Sequence, residues 1–146
     1  MPSARDFLIG ETPLASRLAD LGRALLRVGT GLSLALAHGI NKVPPSERFF
    51  GRVEGMGFPM PEVFAWLASF AEFGGGLLLA LGLLTRPAAL LVVGQFVVIV
   101  FLAHAGDPYS EREDGVLFGL IALFFVCAGA GRYSVDALLR RRIARR

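Results

Sequence analysis

The sequence predicts an all-α fold, a bundle of four transmembrane helices in one membrane domain, and three observations predict it. The chain of 146 residues is 54% hydrophobic and only 18% charged, against about 25% charge in an ordinary soluble domain. Its mean hydropathy is +0.59. The charges also avoid long windows: none falls between Arg27 and Lys42, between Arg86 and Asp107 or between Asp114 and Arg132, and Glu72 stands alone between Glu62 and Arg86. A bilayer core about 30 Å thick takes roughly 20 apolar residues per helix. Four windows meet or approach that length, so a single domain over residues 1–146 uses nearly the whole chain.

Each element follows in turn. Residues 13–23 set Leu14, Leu18 and Leu21 at helical spacing opposite Arg17 and Asp20, the pattern of an amphipathic lead-in lying on a membrane surface before the chain turns inward. The first span is expected over residues 24–42, the second over 61–85, the third over 87–105 and the fourth over 114–131. Pro61 and Pro87 open the second and third spans, where a missing N–H costs a helix nothing. Thr85, Arg86 and Pro87 leave room only for a tight reversal between those two. Residues 43–60, with three prolines and the pair Phe49-Phe50, read as an ordered outer loop with a short helix near 46–55. The patches Gly74-Gly75-Gly76 and Gly129-Ala130-Gly131 read as faces where helix backbones approach closely.

Charge sets the expected orientation. With four spans, both termini and the Arg86 turn share one side, which carries eleven arginines; the other side carries Lys42, Arg48, Arg52 and Arg112 offset by six acidic residues. Basic residues collect on the cytoplasmic side, so both termini are expected there, in a bacterial-type inner membrane. The basic tail over residues 132–146 suits anionic lipid headgroups rather than nucleic acid. Residues 1–23 carry Arg5, Asp6, Glu11, Arg17, Asp20 and Arg23 ahead of any apolar run, which is not the order of a secretory signal. The single cysteine, Cys127, gives neither a disulfide framework nor a Cys-x-x-Cys-His haem attachment. A thiol–disulfide enzyme acting alone is thereby excluded.

The polar residues inside the spans carry the chemistry. A charged residue at a helix centre costs about 2.5–3.5 kcal/mol on insertion scales, so Glu72, midway along the second span, needs partners. Ala65, Ala68, Ser69, Gly75 and Gly76 surround it at helical spacing, a small face suited to other helices. By depth, His38 near the outer end of the first span, Gln95 midway along the third and His104 at its outer end align with Glu72 in a polar seam, and Lys42 or His104 stands at the mouth. Glu72 and His38 are the candidate proton-handling, catalytic pair; His38, Lys42, Gln95 and His104 are the candidate ligand-binding residues. The plainer readings stand beside these. Glu72 can pin helix order without turnover, Gln95 can satisfy a neighbouring helix, and His104 can belong to the interface beside Asp107. Two histidines are too few to assign axial haem ligation or a metal site, so no metal and no intrinsic cofactor is expected. Phe49, Phe50, Phe58, Phe64, Trp66 and Tyr109 fall where an outer aromatic belt forms.

Several stretches together resemble the DoxX family. The run Ala71-Glu72-Phe73-Gly74-Gly75-Gly76 continuing to Thr85-Arg86 is similar to its second-span signature. His38-Gly39-Ile40-Asn41-Lys42 matches a His-Gly-x-x-Lys element, and Gly57-Phe58-Pro59-Met60-Pro61 fits Gly-Phe-Pro-x-Pro. Gly129 to Asp136 is similar to the family's Gly-Pro-Gly-Arg-Tyr-Ser-Leu-Asp, with Ala130 in place of proline, and Glu113 stands where the family often has a Glu. The resemblance covers roughly residues 20–140. It implies a redox-associated membrane subunit, since the family is named for a small subunit of a terminal quinol oxidase and its relatives include the membrane part of a thiosulfate:quinone oxidoreductase. A quinone is then the implied ligand, and the implied partners are the lipid bilayer with other subunits of a membrane complex or a second copy of the chain. A non-catalytic accessory subunit or assembly factor is the competing reading. A small-molecule permease is a third, weakened by the lack of a visible repeat.

Overall fold

The computed structural model describes residues 16–145; the expected amphipathic position Leu14 lies outside them. Among the described residues the chain is helical throughout, with no strand. Helix α1 starts at Arg17, capped by the Ser16 hydroxyl, which accepts from the Ala19 N–H. It runs as a regular helix over Arg17–Leu32, widens into a π turn over Ser33–Gly39 and tightens into a 3-10 turn over Ile40–Lys42. No break separates residues 17–23 from the rest, so the lead-in does not turn. Arg23 and Arg27, four residues apart, instead carry one buried face straight through that point.

The segment after α1, expected as an outer loop, contains the expected short helix, α2 over Glu47–Gly55, capped by Ser46. Helix α3 spans Pro61–Leu81, α4 spans Thr85–Val98 with a π turn over Ile99–Ala103, α5 spans Tyr109–Ala128 and α6 spans Val135–Ala144. Among the described residues, two stretches are helices long and apolar enough to cross a membrane: Pro61–Leu81 and Thr85–Ala103. Helix α5 puts Glu111, Arg112, Glu113 and Asp114 into its first two turns, and α1 changes helix type partway.

Four long segments pack side by side: α1 on α3, α3 on α4, and α4 on α5. Their core is thin. Leu34, Val92, Phe96 and Ala122 form one buried cluster, and Leu79, Ala89 and Phe125 a second. Glycine sets the spacing of α1 against α3. A methyl group on Gly31 would lie 2.5 Å from the Gly76 oxygen and the Ala80 nitrogen, and one on Gly39 would lie 2.5 Å from the Phe73 nitrogen. Gly76 is equally closed, against Gly31 and Ala35, while Gly75 faces Val92 of α4. The Gly74-Gly75-Gly76 patch therefore packs helices, as expected, on two different neighbours.

The α3–α4 reversal differs from the expected Thr85-Arg86-Pro87. Helix α3 ends in a left-handed Gly82 (φ 68°), with the Leu83 N–H donating to the Leu78 carbonyl, and Thr85 already begins α4. Pro87 lies in the first turn of α4, where proline is tolerated. The turn is held from outside. Arg27 donates to the carbonyls of Leu79 (2.8 Å), Ala80 (2.7 Å) and Tyr133 (2.7 Å). Asp136 accepts from the Leu84 (2.8 Å) and Thr85 (3.0 Å) N–H groups, and its own N–H donates to the Gly82 carbonyl. Orphan groups at two helix ends are thus satisfied by a side chain of α1 and one of α6. The Gly129-Ala130-Gly131 patch is not a packing face of the fourth span: Gly129 (φ 74°) and Gly131 (φ 83°) turn the chain after α5, and a side chain on Gly131 would strike the Arg23 guanidinium.

Candidate functional site

Glu72 lies on the most crowded face of α3, between buried Ser69 and Gly76, and is 1% exposed. Gly39 brings the α1 backbone against the Glu72–Phe73 peptide. From there the 3-10 turn over Ile40–Lys42 returns the Lys42 side chain toward the helix pair. Its ammonium donates to both Glu72 oxygens at 2.6 Å. The Gln95 amide of α4 donates to Glu72 Oε1 at 3.2 Å. Three helices therefore converge on one carboxylate. Glu72 is buried and Lys42 half-buried; the Lys42 charge offsets that of Glu72, and stranding a buried charge by removing its partner costs about 3–5 kcal/mol.

The candidate residues divide as follows. Glu72, Lys42 and Gln95 meet directly. His38 is not the carboxylate's partner: it projects from the π turn of α1 and packs edge-on against Phe118 of α5, ring centroids 5.6 Å apart. His104 caps the π turn of α4 and its Nδ1 pairs with the Asp107 carboxylate at 2.7 Å. The seam expected from depth alone is thus a Lys–Glu–Gln cluster with two outlying histidines. The lysine was legible only as a residue at the mouth, because a regular helix gives no sign that its last turn folds back.

All five residues line one cavity of about 910 Å³. The ion pair and Gln95 lie at its floor. Phe58, Phe64, Phe96 and Phe118 supply aromatic wall, and Arg52, Glu111, Arg112 and Asp114 stand among its polar lining. Helix α2 packs on α3 and contributes Phe49 to the cavity. Two cations stand over the Phe49 ring, Lys42 Nζ 5.8 Å and the Arg52 guanidinium 5.5 Å from its centroid. Phe49 and Phe58, expected as membrane-interface anchors, thus face a ligand-sized space. Arg52, Arg112 and Phe118 carried no sequence signal that set them apart from loop charges and apolar filling. Among the described residues, no three His, Cys, Asp or Glu side chains are grouped to hold a metal ion.

The chemistry open to this arrangement is hydrogen-bond donation from Lys42 and Gln95 at the floor of a largely apolar chamber, beside the Glu72 carboxylate that accepts from both. Ligand pockets commonly combine such an apolar lining with a few convergent polar groups.

Comparison with known proteins gives the family. The DoxX family model matches residues 22–105, which takes in α1 from its second turn and all of α2 to α4. The chain is 29% identical over 134 residues to Inner membrane protein YqjF of Escherichia coli, covering 86% of this chain and 98% of that one. It is 33% identical over 134 residues to Uncharacterized membrane protein Rv3486 of Mycobacterium tuberculosis, covering 80% of each. No solved structure matches the chain. With more than half its length matched by that model, and the second-span signature built into the Lys42–Glu72–Gln95 cluster, this chain belongs to the DoxX family of membrane proteins.

Proposed function

We propose that the chain is a four-span inner-membrane subunit of a redox complex, with both termini cytoplasmic, and that its outer cavity binds a quinone headgroup. Four spans are supported by the large apolar residues exposed on all four long segments, Leu25 and Leu36 on α1 and Leu120 and Leu123 on α5 among them. The orientation is supported by the excess of arginine at the end bearing the termini.

The observation that carries the ligand reading is the donor pair Lys42 and Gln95 at the floor of an aromatic-lined cavity of about 910 Å³. A bound quinone supplies two acceptor carbonyls and a reversible two-electron, two-proton couple. Lys42 and Gln95, both beside Glu72 Oε1, would donate to one carbonyl oxygen, and the stacked rings of Phe96 and Phe118 would offer aromatic surface to the headgroup. The electrons belong to a partner subunit or a small donor.

A second reading has its own observation. Both Glu72 oxygens already accept from Lys42, so the pair also serves as a pin between α1 and α3 in a non-catalytic accessory subunit. One variant separates the two: Lys42→Met combined with Glu72→Leu replaces the pair by apolar side chains of similar size, which is often neutral for stability. In phosphatidylcholine nanodiscs the wild-type protein is expected to bind a tail-less methoxy-benzoquinone saturably, and the folded double variant to lose that binding. Equal affinity in both rejects the quinone reading and leaves the pin.

A further inference from the structure

The cavity is not closed toward the side. Its lining continues past the polar floor along one stripe of α4, through Gly94, Leu91, Leu90 and Pro87, with Leu67 and Ala71 on the α3 edge. From Gln95 to Pro87 this stripe descends eight residues, about 12 Å at 1.5 Å per residue. Leu90 is 54% and Leu67 49% exposed, so both stand at the outer surface of the helix pair. Gly94 is the doorway. It adjoins Gln95 in sequence, is exposed, and a methyl group built on it would meet nothing within 4 Å. Gly31, Gly39 and Gly76 are closed by backbone contact; Gly94, which lines the cavity, instead leaves open space where the polar floor gives way to the apolar stripe.

We infer that the cavity is entered sideways from the bilayer, between α3 and α4, by an amphiphile whose polar head reaches Lys42 and Gln95 while its hydrocarbon chain lies along the Gly94–Pro87 furrow. The inference rests on the ligand reading above for the head and adds the tail and the route. Two features of the site select this class of molecule. The floor offers hydrogen-bond donors and a neutralised ion pair, which suits an acceptor head without excess charge. The furrow offers only apolar contacts over about 12 Å, the reach of roughly nine or ten methylenes at about 1.3 Å each, and each buried methylene contributes about 0.8 kcal/mol. An isoprenoid or alkyl tail and the acyl chain of a phospholipid share this chemistry, and the test keeps them apart.

The test maps contact directly. Two probes carrying a diazirine at the end of a ten-carbon chain are used on the intact protein in nanodiscs, one with a benzoquinone head and one with a phosphocholine head, and the cross-linked residues are located by mass spectrometry. Saturable labelling of the 87–91 stretch by the quinone probe is expected, at least about tenfold above labelling at Leu120 on α5. Gly94→Leu, whose Cβ has open space, puts a branched side chain in the doorway and is expected to cut the 87–91 labelling about tenfold, whereas Gly94→Ala changes it less than about twofold; the same tenfold in affinity corresponds to about 1.4 kcal/mol. Labelling spread evenly over Leu36, Leu120 and the 87–91 stretch, or indifferent to Gly94→Leu, overturns the furrow. If the tail-less quinone binds saturably while the furrow stays unlabelled, the sideways route falls and the head site stands. If only the phosphocholine probe labels the furrow in a Gly94-dependent way, the furrow stands and the quinone reading falls.

Discussion

Asp136 is the residue on which the end of the bundle opposite the Lys42–Glu72 pair turns. It ranks among loop polar residues in the sequence, yet it is 1% exposed and its two oxygens accept the first N–H groups of α4. Charge-assisted hydrogen bonds contribute about 1.5–3 kcal/mol each. Asp136→Ala is therefore expected to destabilise the protein by about 3 kcal/mol or more, seen as a lowered midpoint in denaturant titration of the detergent-solubilised protein, with Asp136→Asn intermediate. An unchanged midpoint would show that the turn holds without this cap. Lys42 gives the complementary case at the other end. Lys42→Met alone leaves Glu72 buried without its cation and should cost about 3–5 kcal/mol, more than the double substitution with Glu72→Leu. That non-additivity is the signature of direct coupling, and additive losses would contradict the pairing.

At the scale of elements, the α1–α3 contact is set by Gly31, Gly39 and Gly76. Gly76→Val drives a branched side chain into the α1 backbone and is expected to cost about 1–3 kcal/mol or more, whereas Gly51→Val on the open face of α2 leaves the thermal midpoint within experimental error. Unequal effects in the reverse order would place the close contact elsewhere. Part of this was readable. Three consecutive glycines in an apolar run announce a packing face, and Glu72 amid small residues announces a site facing other helices. Gly31 and Gly39 stand singly and give no such notice. Gly129 and Gly131 look like a packing patch by composition, but their positive φ values make them a turn, which periodicity does not report. The partner of Glu72 escaped for a related reason: depth along a regular helix favours His38, and the change from π to 3-10 geometry that delivers Lys42 leaves no mark in residue type.

For the whole molecule, the uneven distribution of arginine makes topology testable. With Cys127 replaced by serine, a cysteine introduced at Glu54 of α2 is expected to react with a membrane-impermeant maleimide on intact cells, and one introduced at Arg141 of α6 only after the membrane is opened. Labelling of Arg141→Cys on intact cells would invert the bundle. That the chain is all-helical with long apolar segments was legible because charge-free windows matched to the bilayer thickness leave few alternatives. The cavity was not, because it depends on how four helices diverge around one carboxylate, and its wall residues Phe96 and Phe118 are indistinguishable by type from residues that pack the core.

The two π turns, Ser33–Gly39 in α1 and Ile99–Ala103 in α4, hold slack. A π turn winds one surplus amino acid into a helix while the segments before and after it keep their phase. Excising Leu36 should therefore let α1 relax to regular winding with Arg27 and Lys42 still moored at their separate berths, and the chamber beside His38 would shrink while the bundle kept its melting temperature. Excising Val28 from the regular stretch would instead rotate everything beyond it by about 100° and unmoor one end. Tolerance of shortening is thus concentrated where the cavity lies, so the chamber's size can be retuned without rebuilding the frame.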